Sequence, residues 1–460
     1  RIRARSLAKA RAETKPVELS EYQTFLIGLQ GVGPVGGERY DGEDGVMRVI
    51  EQLEGVALPP SVWESSVLPV RVRDYRPAML DGLLSSGEIV WVGSKTTGSK
   101  AKEPGLVALH PADSLLLTVQ DGEKNGEAPG EPVTLPDAVM AVLAPGGAYH
   151  ANQLAGLTRA AWDASSECVD ESTGEILPHP WSDSQFEEAL WSLVWQGKVT
   201  NSSFDPLRSL GASSHAVKAP ARASRRRVRV RVSVPANMTG LWSAVPHADM
   251  QEASAERVAI ARIEALLDRY GVIAPPMIDK ERLDGGFSGL YPVLRRMEEH
   301  GALMRGMFVS GCGAAQFASR QTVDALRACA AEPSAVVLDA TDPANLYGSV
   351  IAWPRTIGGF SIRPARRSGA SVVLRGGRLL AYAVPRSHHL LLAQDADPAL
   401  QQACNELAYA LQRNLRDGGI RGGVTFCDAN DEPLTVRGEW SRMLHVAGFV
   451  PVPQGMRLYC

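Results

Sequence analysis

AERVAIARIEALLDRYGVIAPPMIDKERLDGGFSGLYPVLRRMEEHGALMRGMFVSGCGAAQFA, residues 255–318, carries the pattern that decides the fold. Ala255 to Tyr270 places Val258, Ile263, Leu266 and Leu267 at helical spacing, and Gly271 ends the run. Met277 to Leu283 predicts a second, short helix, and Asp284-Gly285-Gly286 a turn. Ser288 to His300 predicts a third helix with Leu290, Leu294 and Met297 on one face and Gly301 at its end. Leu303 to Val309 then reads as a strand, Ser310 to Gly313 as a tight turn, and Ala315 to Ala318 as the return strand. Three helices followed by a hairpin is the winged-helix order, in which the helix after the turn is normally offered to the major groove.

The same order recurs twice upstream. In residues 40–120, Val46 to Leu53, Pro60 to Ser66 and Arg76 to Ser86 predict three helices, with Gly87 as a stop, Ile89 to Val92 as a strand and Leu106 to Leu109 as its return. In residues 134–212, Asp137 to Leu143, His150 to Leu157 and Asp183 to Trp195 predict helices, with Gly197 as a stop before a strand at Val199. Between the second and third units, Arg222, Arg225, Arg226, Arg227, Arg229 and Arg231 sit in an Ala/Ser/Pro-rich run. That composition marks a linker. It also fits a basic edge strand, because Val228, Val230 and Val232 alternate with arginine. After residue 333 the period changes. Val336 to Leu338 is strand-like, and Val372 to Leu374, Gly376-Gly377 and Leu379 to Tyr382 predict a hairpin. Asp397 to Asp417 predicts one long helix, and 422–460 reads as strands around a short helix at Trp440 to Ala447. The expected fold is α+β: tandem winged-helix modules followed by a β-barrel-like domain with one long helix. Its boundaries are a lead-in at 1–39, modules at 40–133, 134–211 and 251–332, an Arg-rich linker at 212–250, and the C-terminal domain at 333–460.

The bulk numbers agree with several globular domains. The chain has 460 residues, 45% hydrophobic and 22% charged, with net charge -3. At roughly 100–200 residues per domain it holds about three or four domains. A near-neutral chain is no polycation, so any nucleic-acid contact comes from local basic patches. The first residue is Arg1, and we expect a longer polypeptide around this segment. No apolar stretch reaches the length of a membrane span. The six cysteines, at 168, 312, 329, 404, 427 and 460, stand singly, as expected for a reducing cytoplasm, and read as small buried hydrophobes.

Two phosphate-loop patterns fail on chemistry. Gly31-Val32-Gly33-Pro34-Val35-Gly36 matches GxGxxG, but Pro34 sits in the turn and Glu38 and Asp41 follow where a helix should receive the pyrophosphate. Gly93 and Gly98 have phosphate-loop spacing, but Ser99-Lys100 reverses the required Lys-Ser/Thr order. Residues 93–105 read instead as an exposed wing loop, and no ATP site is expected in this chain.

Longer stretches resemble the C-terminal half of bacterial large helicase-related proteins. They include Leu58-Pro59-Pro60-Ser61-Val62-Trp63-Glu64, Ser86-Gly87-Glu88-Ile89-Val90-Trp91-Val92-Gly93, and Leu190-Trp191-Ser192-Leu193-Val194-Trp195-Gln196-Gly197. Ala340-Thr341-Asp342-Pro343-Ala344-Asn345-Leu346-Tyr347-Gly348 and the tail Gly448-Phe449-Val450-Pro451 continue the likeness in order. The resemblance implies an ATP-dependent, DNA-translocating helicase of DNA repair, nucleoid-associated in the cytoplasm. Its motor domains, with their ATP and magnesium, would lie N-terminal to this segment, so no cofactor is expected here. It implies DNA as a partner (single-stranded, forked or hybrid), the motor of the same polypeptide as another, and a homo-oligomer. The extension also resembles the scaffold of a DNA-glycosylase family, whose paired catalytic glutamines find no matching pair in this chain.

Candidate side chains follow from these readings. For base excision, a polar group must orient water or stabilise the sugar cation beside a flipped base. Asp339 and Asp342 at a strand end and Gln316 on the third wing are the candidates. Against this stands turn chemistry, with Asp342 making an Asx-type bond ahead of Pro343. For nucleic-acid binding, the candidates are Ser288, Tyr291, Arg295 and Arg296 on the third module's helix and Arg305 on its wing. Arg225, Arg226 and Arg227 in the linker and Lys95 and Lys100 in the first wing loop complete the set. His388-His389 is the one adjacent histidine pair. In a strand the two would point to opposite faces, which argues against shared metal binding. Purely oligomeric assembly is the third function class the sequence leaves open.

Overall fold

A computed structural model describes residues 15–33, 38–94, 104–118, 134–164, 168–169, 176–177, 180–213, 235–246, 254–283, 285–329, 334–394, 399–417, 423–435 and 437–459. The chain forms two compact units. One comprises Arg1–Leu53, Val62–Tyr75 and Ala255–Cys460; the other comprises Glu54–Ser61 and Arg76–Ser254.

The first unit contains the winged helix that the sequence shows best. Its helices are Ala255–Tyr270, Pro275–Glu281 and Gly286–Glu299. Strand Gln316–Ala318 lies between Val272–Ile273 and Met304–Gly306, antiparallel to both. Two details differ from expectation. Val272–Ile273 adds a strand between the first two helices, and the wing strand is shorter than Leu303 to Val309. The strand stops because the amides of Phe308 and Val309 turn to the Gln316 side chain, at 2.9 and 2.8 Å, instead of continuing the ladder. Phe317, Leu294, Ile263 and Met277 fill the core beneath it.

The C-terminal part of this unit is an open sheet. Val336–Asp339, Ser371–Arg375, Arg378–Val384, His389–Leu392, Asp428–Ala429 and Glu432–Pro433 pair in that order. Only His389–Leu392 and Asp428–Ala429 run parallel. Gly423–Phe426, Gly455–Tyr459 and Val450–Val452 make a separate three-stranded sheet with the second strand in the middle. Among the described residues the two ends of the six-stranded sheet do not meet, so no closed barrel forms there, in contrast to the barrel-like expectation. Closure would need the two edge strands, Val336–Asp339 and Glu432–Pro433, to pair with each other. Leu379 to Val384 are all buried, and helix Ala399–Asp417 packs along this strand and its neighbours. The Gly376-Gly377 turn has φ of 53° and 71°, the left-handed pair that a two-residue hairpin favours. Gly377 is irreplaceable for a second reason: a Cβ there would overlap the Ser20 carbonyl oxygen.

In the second unit, helices Leu135–Leu143, Ala151–Asp163 and Asp183–Trp195 accompany a three-stranded sheet whose first strand lies between the first two helices. Thr134 and Ser182 cap the first and third helices through their hydroxyls. Strand Leu241–Ala244 is central in the sheet, pairing with both Tyr149–His150 and Val199–Asn201. Those residues fall inside the stretch read as a linker at 212–250. The central strand of this sheet therefore comes from beyond the Arg-rich run, which lies in sequence between two paired strands. Trp191 and Trp242 meet edge-on at 5.6 Å in the buried centre. The hairpin Ile89–Ser94 with Leu106–Pro111 completes the unit. A Cβ on Gly93 would stand 2.5 Å from the Val194 carbonyl, so this glycine serves packing against the Asp183–Trp195 helix. No helix among the described residues is long and apolar enough to cross a membrane.

Candidate nucleic-acid interface

Helix Gly286–Glu299 buries Leu290, Val293 and Leu294 and turns its other face outward. Ser288, Arg295 and Arg296 are exposed, and Tyr291 is half-buried at the border. Gly285 enters the helix with φ 72°, where a side chain would be strained. Pro292 lacks the N–H that would otherwise bond the Ser288 carbonyl, which leaves that oxygen on the outer face free of its helical partner. Arg305, on the wing, lays its guanidinium 5.6 Å from the Tyr291 ring centroid. Tyr291 in turn meets Phe317 edge-on at 6.0 Å. The structure thus brings Ser288, Tyr291, Arg295, Arg296 and Arg305 onto one helix and its adjoining wing. Lys95, Lys100, Arg225, Arg226 and Arg227 lie outside the described residues.

The arginines on this face are held lightly. Arg295 pairs with Glu299 at 3.0 Å and Arg296 with Glu256 at 2.8 Å. All four side chains are more than half exposed. Such pairs are worth about 0–1 kcal/mol and exchange readily for another anion.

The three residues considered for base chemistry are engaged with their own chain. Gln316 is fully buried. Its oxygen accepts from Phe308 and Val309, and its amide donates to the carbonyls of Val309 and Gly313 at 2.7 and 2.8 Å. Asp342, also fully buried, accepts two hydrogen bonds from Arg71 at 2.8 and 2.9 Å and one from the Ala344 amide at 2.8 Å. The last is the Asx-type bond that Pro343 suggested. Asp339 accepts from the Thr341 amide and hydroxyl and from the Gly369 amide. Burial nonetheless raises its carboxyl above the usual range, and these hydrogen bonds oppose the rise.

Around Asp342 lies a buried polar cluster that the sequence does not signal. Arg71 also donates to the carbonyls of Gln30 and Val67 and to the Gln30 side chain. The Val67 carbonyl is at hand because Trp63–Val67 forms a π-turn where an ordinary helix was expected. Arg366 donates to the carbonyls of Thr341, Asp342, Asn345 and Tyr347. Lys280 donates to the Pro343 carbonyl at 2.7 Å and lies 5.2 Å from the Tyr270 ring centroid. Burial, followed by the Arg366 guanidinium, pushes the Lys280 amine down to about 7. Gln23 spans the Ala344 carbonyl and the Leu346 amide. The loop from Ala340 to Gly348 is thereby fixed by side chains from four distant segments. No amphipathic pattern marks such a cluster; only the density of Asp, Asn and Pro in the loop hints at it.

The histidine pair sits differently from expectation. His388 occupies a left-handed turn, φ 64°, just before the strand, and its ring meets the Thr425 carbonyl at 2.8 Å. His389 begins the strand and meets Asp428 at 2.6 Å. No group of three metal-ligating side chains occurs among the described residues. Burial pushes the Cys312 and Cys404 thiols up to about 11 and 12, in keeping with packing groups.

Residues 17–112 match a family model described as a winged-helix domain of the large helicase-related protein, and residues 252–337 match a second such model. The chain belongs to the large helicase-related family. It is 38% identical, over 99% of its length, to the Lhr helicase/uracil glycosylase of Escherichia coli. It is equally similar, 38% over 99%, to the Lhr helicase/probable uracil glycosylase of Mycolicibacterium smegmatis. The chain spans about 30% of the length of these large helicase-related proteins and matches their C-terminal part. The solved Streptomyces sahachiroi DNA glycosylase AlkZ superposes with a TM-score of 0.51, covering 90% of this chain and 99% of that one. At 15% identity, that is a likeness of fold. The second family match contains the whole Gly286–Glu299 helix and its wing.

Proposed function

We propose that this chain is a nucleic-acid-binding platform in the C-terminal part of a DNA-repair helicase, docking through helix Gly286–Glu299 and its wing. One observation carries the reading: the outer face of the helix after the turn presents Arg295 and Arg296 in weak surface pairs, beside Arg305 stacked on Tyr291. A winged helix uses that helix and wing to meet a duplex groove and its phosphates. In this reading the ATP and magnesium chemistry belongs to motor domains of a longer polypeptide. The test is binding of a fluorescent forked DNA by an Arg295→Ala/Arg296→Ala/Arg305→Ala variant. Its log-affinity against log-salt slope should flatten by about 0.7–0.9 for each phosphate no longer neutralised. An unchanged affinity and slope would overturn the reading.

Base excision is the second reading, favoured by the words uracil glycosylase in the names of both relatives. Of the three candidates, Asp339 combines a raised carboxyl with an environment free of a bonded cation, whereas Asp342 is bonded to Arg71 and Gln316 to backbone. Uracil-containing DNA incubated with the chain and with Asp339→Asn decides. Abasic product absent in the variant, with folding intact, supports the assignment, and product retained removes Asp339.

A further inference from the structure

From Pro343 to Gln394 the chain carries seven arginines and not one Asp or Glu, although its net charge is -3. Most of that run is the connection between strands Val336–Asp339 and Ser371–Arg375, which are direct antiparallel neighbours. Neighbouring strands need a loop of only about 2–5 residues. Residues 340–370 are far longer, and a loop of that length in a compact domain usually has a function of its own.

The loop is held against the sheet at successive points. The Thr356 carbonyl accepts from the Gln394 amide at 3.1 Å. Ser361 donates its amide to Asp431 at 2.8 Å, and its hydroxyl bonds the same carboxylate. The Ala365 amide meets the Tyr382 hydroxyl, and that hydroxyl donates to the Ala365 carbonyl at 3.0 Å. Arg366 reaches back to the start of the loop, donating to the carbonyls of Thr341, Asp342, Asn345 and Tyr347. From Ser361 to Arg367 exposure alternates: Ser361, Arg363, Ala365 and Arg367 face outward, while Ile362, Pro364 and Arg366 face inward. The Arg367 amide donates to the Ala365 carbonyl at 3.0 Å, a tight turn that fixes the backbone between these outward positions.

Arg355, Arg363 and Arg367 are exposed, and among the described residues none of them pairs with a carboxylate. Arg367 donates from Nε to the Tyr382 hydroxyl at 3.2 Å, a bond that orients the guanidinium without neutralising it. Elsewhere on the same unit, Arg48, Arg295 and Arg296 all have an acidic partner. Arg355 sits on the 3-10 turn Arg355–Ile357 and Arg363 and Arg367 on the segment after it, so three guanidinium groups without a carboxylate partner stand on a pinned loop, a preorganised anion rail with little ordering entropy left to lose on binding.

We propose that the 355–367 segment is a second nucleic-acid contact, in which Arg355, Arg363 and Arg367 bind backbone phosphates. The proposal rests on the platform reading above and assigns it a site beyond the winged helix. A polyanion suits the site because it offers several phosphates to several unpaired cations of one pinned loop, and no acidic residue from Pro343 to Gln394 repels them.

Affinity for a fluorescent single strand and for a fork, measured across salt with the full chain, tests it. Arg355→Ala/Arg363→Ala/Arg367→Ala should flatten the salt slope by about 2, from three phosphates at about 0.7 each. The matching triple Lys variant retains the charges and should retain most of the slope, which separates missing charge from failed folding. If the Ala triple binds with the parental slope while the Arg295/Arg296/Arg305 variant binds more weakly, the rail is refuted and the platform stands. If neither variant alters binding, the platform reading fails with it. A Lys triple whose slope flattens as the Ala triple's does also overturns the proposal, because the effect then follows structure rather than charge.

Discussion

Replacing Arg71 with Met leaves the Asp342 carboxylate buried with a single remaining donor, the Ala344 amide at 2.8 Å. In the parent chain Arg71 makes five hydrogen bonds, to both Asp342 oxygens, both Gln30 oxygens and the Val67 carbonyl. Both side chains of the ion pair are completely inaccessible. Removing one partner of such a pair costs about 3–5 kcal/mol, because the other charge stays desolvated and unpaired. Replacing both partners with apolar residues costs far less and is often neutral. Arg71→Met should therefore destabilise the first unit by about 4 kcal/mol. Arg71→Met/Asp342→Leu should recover about half of that or more, the Gln30 and Val67 acceptors accounting for the remainder. Because the chain has two compact units, one melting temperature is not a defined measure of this effect. Native-state hydrogen exchange at the Val372, Val373 and Leu374 amides reports the first unit directly. A single variant within about 1 kcal/mol of the parent, or a double variant worse than the single by a similar amount, would refute the idea that this pair staples the unit.

Further outcomes follow from the same geometry. Gly377→Ala should cost more than about 3 kcal/mol, since it adds left-handed strain to a Cβ that overlaps the Ser20 carbonyl, whereas Gly359→Ala, with φ 91° and open space around it, should cost only about 1 kcal/mol; exchange-derived stabilities check the contrast. Gln316→Ala breaks four hydrogen bonds to the wing backbone and should destabilise the first unit by about 3–4 kcal/mol in the same assay; a cost below about 1 kcal/mol would deny it a structural role. Lys280 has an ordinary value of 10.5 and is held at about 7 when folded, so between those values the unfolded chain binds more protons and stability rises with pH. Urea titrations followed by first-unit exchange between about pH 7 and 8.5 should show that rise, and Lys280→Met should remove it. Equal slopes in both proteins would reject the assignment.

Helix ends were the most legible feature. Gly87, Gly197, Gly271 and Gly301 all adopt left-handed φ, at 78°, 73°, 69° and 79°, where the sequence marks stops. The Gly376-Gly377 hairpin is equally local and was equally readable. Pairing at long range was not. Leu241–Ala244 joins Tyr149–His150 and Val199–Asn201 in one sheet, but the intervening arginines and small residues look like a linker because composition says nothing about which strands meet. The barrel expectation arose in the same way: strand-like runs can be counted in a sequence, but closure depends on which edges pair. At the candidate site, the exposed face of Gly286–Glu299 followed from periodicity, because outward positions are those the apolar stripe leaves over. Nothing in the sequence singles out Arg71, and Gln316 reads there as a candidate for base chemistry rather than as a brace of the wing, because a buried polar side chain looks like a surface one until its partners are known. The acid-free run from Pro343 to Gln394 is visible in the sequence itself, as a local charge imbalance hidden within a near-neutral total.

Electrostatic binding of nucleic acid through local arginine clusters is tested most directly by equilibrium affinity for forked DNA from about 50 to 200 mM salt. Log affinity should fall linearly with log salt, with a slope of about −3 to −5 for roughly four to six phosphates neutralised. Affinity independent of salt, or no binding at micromolar protein and low salt, would contradict it.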